Sequence, residues 1–196
     1  MYSVNEIFYS LQGEGRHTGR PAIFIRFSGC NLRCPFCDTN FTGATRMSVS
    51  DILAAISPWQ SCGFVVLTGG EPSLQADDAL VEALHQAGYY VAVETNGTHP
   101  LPSAIDWVTL SPKDQFAPHV PPLALQRIHE IKVVFDGKHN PEAYASLSPG
   151  AYLCLQPCDT GSAAANREIT SQCVDYILAH PHWHLSLQTH KMIHIM

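Results

Sequence analysis

The stretch Pro21-Ala-Ile-Phe-Ile-Arg-Phe-Ser-Gly-Cys-Asn-Leu-Arg-Cys-Pro-Phe-Cys-Asp-Thr39 carries the reading of the whole chain. Its opening, Pro21 to Phe27, is short and largely apolar, as a buried parallel strand is. Directly after it, Cys30, Cys34 and Cys37 form a C-x3-C-x2-C loop, so three thiols leave one strand end together. Runs of the same kind recur at Phe64 to Leu67, Tyr89 to Val93, Trp107 to Leu110, Ile131 to Phe135, Tyr152 to Leu155 and His184 to Leu187. Helical patterns lie between the first three. Val49 to Ile56 follows Ser48 with Asp51 in a capping-box position, and Asp77 to Ala87 stops at Gly88. A further helix is predicted from Arg167 to Ala179, before Pro181. The opening thus reads βαβαβ, a parallel sheet with right-handed crossovers. The later connections differ: Thr95 to Ile105 holds two prolines and Ser111 to Arg127 holds four. Neither has room or pattern for a full crossover helix. The expected fold is α/β, an open, incomplete β/α barrel with fewer helices than strands, its functional groups gathered beyond the carboxyl ends of the strands.

With 196 residues and 45% apolar composition the chain can bury one substantial core, so a single domain over residues 1–196 is expected. No internal repeat, low-complexity segment or linker interrupts it. No apolar run approaches the roughly 20 residues that span a bilayer, and the amino end lacks the basic and apolar regions of a signal peptide, so a cytoplasmic, membrane-independent protein is expected. A formal charge of -6 and a pI near 5.9 give no general attraction to phosphates, which favours a small substrate over direct contact with nucleic acid. The seven cysteines are odd in number and three are clustered, which argues for metal ligation over disulfides. A closed zinc site or a four-cysteine ferredoxin wants a fourth ligand nearby, and the next cysteine, Cys62, is distant; one coordination position is left open. Cys62, Cys154 and Cys173 sit in apolar surroundings and read as packing residues. The run His180-Pro-His-Trp-His184 invites a metal, but no partner for such a site is evident, and none is expected there.

The cysteine spacing, with Thr68-Gly-Gly-Glu-Pro72 after the next predicted strand, resembles the radical S-adenosylmethionine superfamily. Within it, Phe8-Tyr-Ser-Leu-Gln-Gly-Glu-Gly15, Ile25-Arg-Phe-Ser-Gly-Cys30, Cys37-Asp-Thr39 and Gln188-Thr-His-Lys191 are similar to the family of 7-carboxy-7-deazaguanine synthases, from one end of the chain to the other. That resemblance implies a 4Fe-4S cluster on Cys30, Cys34 and Cys37. It implies S-adenosylmethionine held by Phe36, Cys37, Asp38, Gly70, Glu71, Glu94, Asn96, Ser111, Pro112, Lys113, Gln156, Pro157, Cys158 and Asp159, with Cys158 not ligating iron. Magnesium would sit on Thr39. The implied substrate, 6-carboxy-5,6,7,8-tetrahydropterin, would be met by a lip of Leu11, Gln12, Gly13 and Glu14, by Arg26 and Thr68, and by His190 with the carboxylate of Met196. The implied reaction is hydrogen abstraction from the pterin, ring contraction and loss of ammonia, in the making of queuosine-type deazapurines. An electron donor such as flavodoxin or ferredoxin and a homodimer come with the resemblance. Plain structural alternatives stand beside several of these roles: a strand-end ion pair for Arg26, a loop cap for Thr39, an ordinary turn for Gly69 and Gly70. The competing functions are an activase that makes a glycyl radical on a partner protein and a metal-binding module without catalysis.

Overall fold

The computed structural model describes residues 1–39, 43–117 and 119–195. Among these residues nine strands form one sheet: β1 (Tyr2–Leu11), β2 (Pro21–Phe27), β3 (Thr45–Met47), β4 (Phe64–Gly69), β5 (Tyr90–Thr95), β6 (Trp107–Leu110), β7 (Glu130–Phe135), β8 (Tyr152–Pro157) and β9 (Trp183–Leu185). Five α-helices accompany them among the described residues: α1 (Val49–Ile56), α2 (Asp78–Gln86), α3 (Glu142–Ala145), α4 (Ala163–Ala179) and α5 (Thr189–Met192). The spatial order is β3-β1-β2-β4-β5-β6-β7-β8-β9, and every neighbouring pair from β2 to β9 is parallel. The sheet does not close, and its helices are fewer than its strands, as expected from the proline-rich connections before and after β6.

The helix ends follow local chemistry. Ser48 accepts a hydrogen bond from the Asp51 amide while the Asp51 carboxylate accepts from the Ser48 amide, a complete capping box. Asp77 caps α2 by accepting from Leu80 N, and Gly88, at φ +86°, takes the left-handed conformation that ends it. Helix α4 begins earlier than the expected Arg167, because Ser162 supplies an N-cap that accepts from Ala165 N.

Two strands depart from the expected all-parallel sheet. β1 pairs antiparallel with β2, and the short β3 pairs antiparallel with β1. A register shift between Val4 and Glu6 interrupts the alternation of buried and exposed residues in β1, which hides the period of two in the sequence. The cysteine loop therefore leaves the second strand of the chain, not the first.

Alternation sorts the strand residues onto two faces. On the outer face Ile23, Ile25, Phe27, Val65, Leu67, Val91 and Val93 pack against Ile52 and Ile56 of α1 and Leu80, Val81 and Leu84 of α2. A second core joins Ile131, Val133, Phe135 and Leu155 to Cys173 of α4 and to Trp183. On the inner face Phe8, Ala22, Phe24, Phe64, Val66 and Ala92 fill the lower part, with the Phe8 and Phe24 rings stacked 4.8 Å apart. Each large apolar side chain removed from water contributes ~1.5–3 kcal/mol, so these layers fix the strand ends relative to one another. Above that floor the inner-facing residues turn polar: Arg26, Thr68, Glu94, Lys132 and Gln156 all line a cleft. Among the described residues no helix is long and apolar enough to cross a membrane.

Candidate active site

The cleft has a volume of about 300 Å³ and opens at the carboxyl ends of the parallel strands. Its wall on one side is the cysteine loop, with Cys30 and Cys34 half-buried and Cys37 exposed. The loop is braced by Cys37 N donating to Cys34 O and by the Asn31 amide, which donates to Thr98 Oγ1 at 2.8 Å and accepts from Asn96 Nδ2 at 3.0 Å. Burial raises the Cys30 and Cys34 thiols above their usual range, with Lys113 pulling Cys34 the other way.

The Gly-Gly-Glu-Pro turn is fastened to the foot of that loop through backbone. Gly70 N donates to Phe27 O and Glu71 N to Gly29 O. A Cβ on Gly70 would lie 1.8 Å from Gly29 O, and one on Gly69 would lie 2.3 Å from Phe27 O, so glycine is required at both places by contact as well as, at Gly69, by its φ of +122°. Glu71 is 1% exposed and its carboxylate accepts from Ser73 N, Ser73 Oγ, Thr95 Oγ1 and Asn96 N. One carboxylate thus sets the relative position of the β4 and β5 ends.

The opposite wall is the lip. Thr189 donates to Gly13 O from both its amide, at 3.0 Å, and its hydroxyl, at 2.9 Å, while Gln188 Nε2 donates to Glu14 Oε1 at 3.1 Å. His190 lies so close that a Cβ on Gly13 would meet its Nδ1 at 2.2 Å. Ser186 completes the tie: its Oγ accepts from Gly15 N and donates to Gln156 Oε1. Behind the lip, Glu130 is buried, accepting from Arg16 N, Trp107 Nε1 and Thr109 Oγ1.

Nearly all the residues singled out in the sequence line this one cleft; Pro112 is buried beside it and Met196 lies outside the described residues. Several have partners of their own. Arg26 Nε donates to Glu6 Oε1 at 2.6 Å. Glu94 is engaged by Gln12 Nε2 at 3.3 Å and by Lys132 Nζ at 2.8 Å, so its carboxylate faces the lip. Asp159 binds Lys191 Nζ at 2.9 Å, and Lys191 also reaches Asp38 at 2.7 Å, linking the end of β8 to the cysteine loop. The Lys191 bond, the Gly161 amide and Asn166 hold the Asp159 carboxyl down at about 2. Lys113 donates to Ser111 Oγ, and burial lowers its ammonium from the usual range. Cys158 is buried at the cleft edge. Cys154 and Cys173 are buried packing residues, the latter thiol pushed up to about 12 by burial. The histidine run is tied down structurally: His182 meets Glu142 at 3.0 Å and His184 stacks on Tyr152.

The sequence reading missed Lys132, Glu130, Ser186 and the bridging role of Lys191. A charged residue at the centre of the otherwise apolar Glu130-Ile-Lys-Val-Val-Phe135 was the available signal for Lys132.

The donor set suits an iron–sulfur cluster with an open site: three thiols line the cleft on one braced loop, whose foot at Gly29 is packed so tightly on Gly70 that no side chain fits at Gly70. Among the described residues no three His, Cys, Asp or Glu side chains stand close enough to hold a metal ion.

An open parallel barrel with such a loop at the end of one strand and a Gly-Gly-Glu-Pro turn at the next defines a radical S-adenosylmethionine protein, and the model of the Radical SAM superfamily matches residues 24–118. The chain is 51% identical to 7-carboxy-7-deazaguanine synthase of Bacteroides thetaiotaomicron, over 100% of this chain and 99% of that one, and 44% identical to the enzyme of the same name from Bordetella pertussis, over 99% of each. The crystal structure of QueE from Escherichia coli superposes with a TM-score of 0.80 at 31% identity, covering 95% of this chain and 93% of that one. The chain belongs to the 7-carboxy-7-deazaguanine synthase family.

Proposed function

We propose that this enzyme converts 6-carboxy-5,6,7,8-tetrahydropterin to 7-carboxy-7-deazaguanine with loss of ammonia, acting as a single radical S-adenosylmethionine domain in the supply of queuosine-type deazapurines. The observation that carries this reading is the meeting of the cysteine loop, the Gly-Gly-Glu-Pro turn and the Leu11–Glu14 lip around one cleft. When bound, the cluster on Cys30, Cys34 and Cys37 and its S-adenosylmethionine supply the one-electron chemistry that removes a hydrogen from the substrate.

The chain's own residues hold and exclude. Gly70 and Glu71 form the cradle for the methionine moiety, with Phe36, Cys37, Asp38, Asn96, Ser111 to Lys113 and Gln156 to Asp159 around the rest of the cofactor. Lys113, an ammonium inside the cleft, suits the cofactor's carboxylate. Glu94 stands on the border of cofactor and lip. Leu11, Gln12, Gly13, Glu14, Thr68 and His190 meet the flat, hydrogen-bonding edges of the pterin, and Arg26 exchanges Glu6 for its carboxylate, a planar fork matched to a planar acceptor. The Met196 carboxylate would join this lip. Thr39 offers one hydroxyl oxygen to magnesium, the remaining ligands coming from substrate carboxylate and water. A low-potential donor such as flavodoxin or ferredoxin, a homodimeric state and a cytoplasmic setting complete the reading; a thiol-ligated cluster with an open iron belongs in a reducing compartment.

The test is anaerobic turnover of the reduced, reconstituted protein with S-adenosylmethionine and 6-carboxytetrahydropterin. Formation of 7-carboxy-7-deazaguanine and ammonia is expected. A protein that contains iron and sulfide and cleaves S-adenosylmethionine but leaves the pterin intact would point to a different substrate, and one that binds only zinc would remove the enzymatic reading.

A further inference from the structure

Lys132 rises from the middle of β7 onto the inner face and is 5% exposed. Its Nζ donates to Glu14 Oε2 at 2.7 Å and to Glu94 Oε2 at 2.8 Å. Glu94 Oε1 accepts from Gln12 Nε2 at 3.3 Å, and Gln12 Oε1 accepts in turn from Glu14 N at 3.2 Å. Lys132, Glu94, Gln12 and Glu14 therefore close a ring beneath the lip. Both oxygens of Glu94 are acceptors in that ring. Protonation would place an O–H on one of them and displace either the ammonium or the amide. Rotating Gln12 to compensate would present its carbonyl where its NH₂ now points and would withdraw the acceptor from Glu14 N.

We propose that Lys132 is a positioning residue for pterin capture, acting through a ring that orients Gln12 and Glu14 and that closes only while Glu94 is ionised, so that substrate affinity depends on pH. This rests on the function proposed above and extends it to a buried residue beneath the lip.

The electrostatics agree with the geometry. Burial pushes Glu94 up, Lys132 draws it down, and the neighbouring Glu130 and Glu14 raise it, leaving it at about 7. Glu14 is also raised by burial, but Lys132, Gln188 and His190 outweigh this and hold it at about 2, ionised throughout. The other charged or titratable groups around Glu94 include Cys154 on β8 and Lys113 beyond β6, and Arg26, Glu71, Asp38, Asp159, His190 and Lys191 line the same cleft. Because the ring needs the carboxylate, the competent fraction falls as pH drops through the Glu94 value. Apparent affinity scales with that fraction, so the pterin should bind roughly tenfold more weakly at about pH 6 than at about pH 8.

The experiment measures KM for 6-carboxytetrahydropterin against pH in the reconstituted holoenzyme, with S-adenosylmethionine affinity and iron content followed separately. Wild type should show KM rising on the acid side of about 7 with a smaller change in kcat. Glu94→Gln should flatten that dependence. Lys132→Met should raise KM at least tenfold at neutral pH and move the transition to higher pH, Lys132→Arg should restore most of the loss, and iron content should stay at the wild-type level. An acid-side transition that survives in Glu94→Gln belongs to another group and overturns the proposal; so does a wild-type KM in Lys132→Met. Should Lys132→Met fail to fold, the comparison of wild type with Glu94→Gln decides alone. A wild type that turns over no pterin at any pH fails the proposed function as well, whereas the other failures strike only the Lys132 ring.

Discussion

The two walls of the cleft are built in opposite ways. The cofactor wall is local and mostly backbone: the end of β2, its cysteine loop and the turn after β4 meet through Gly70 N–Phe27 O and Glu71 N–Gly29 O, between neighbouring parallel strands. The lip wall is made of side chains from remote parts of the chain. Gln188 and Thr189 reach Glu14 and Gly13 from 174 and 176 residues away respectively, and Lys132 reaches Glu14 from 118. Backbone contacts of the first kind tolerate few substitutions because a Cβ has nowhere to go. Side-chain ties of the second kind are replaceable one at a time, and each loss should shift the geometry of the lip while the opposite wall stands. The contrast predicts all-or-none phenotypes on one side and graded ones on the other.

The largest effect should come from the thiols. Cys30→Ala, Cys34→Ala or Cys37→Ala should abolish cluster assembly and turnover together, since two thiolates cannot hold the cubane. Iron and sulfide analysis with the anaerobic assay checks this, using Cys62→Ala as the comparison: Cys62 donates to the Pro21 and Phe64 carbonyls and packs beside the cores away from the cleft, and its loss should leave both readouts intact. A Cys34→Ala protein with full iron content and activity would sink the ligand assignment.

Next comes the backbone cradle. Gly70→Ala drives a methyl into Gly29 O, and relieving the overlap should cost about 2–3 kcal/mol of stability and much of the S-adenosylmethionine affinity. Chemical denaturation and equilibrium binding would show it; a variant of wild-type stability that binds the cofactor normally would mean that the two loops are not held together as described.

The graded side is probed at Arg26. Charge-assisted contacts contribute about 1.5–3 kcal/mol, so Arg26→Ala should lose roughly ten- to a hundredfold in pterin affinity with the cluster intact. Glu6→Gln, which removes only the resting partner, should leave affinity unchanged or tighter. If Arg26→Ala binds the pterin as wild type does, Arg26 is a strand-end ion pair and nothing more.

The same contrast explains what could be read from the amino acids alone. Strands β2 and β6 and helix α1 stand where periodicity and capping residues put them, because their signals are contained within a dozen residues. The proline-rich connections around β6 likewise announced the absence of crossover helices. β1 escaped notice because its bulge breaks the alternation and its partner is β2, an antiparallel neighbour that nothing in a βαβ pattern suggests. On the site, the cysteines and the Gly-Gly-Glu-Pro turn are contiguous and legible. Lys132 and Glu130 are not, since a charge within an apolar strand says that something opposes it without saying what; the answers, Glu14 and the Arg16 amide, lie on another strand's exit. Lys191 posed the same difficulty, as its partners Asp38 and Asp159 come from two different loops.

The reach of Ser186 to Lys191 across to Gly13, Gly15 and Asp38 also sets an order of events during synthesis. Strands β1 to β5 and the loops at their ends can pair as soon as they emerge, since their partners are near in sequence. The groove for the heterocycle stays unfinished until the last strand has docked and Ser186 has met the Gly15 amide. A ribosome-bound chain halted before β9 would thus present the cysteine loop with no lip opposite it, one wall of the cleft standing complete before the other exists.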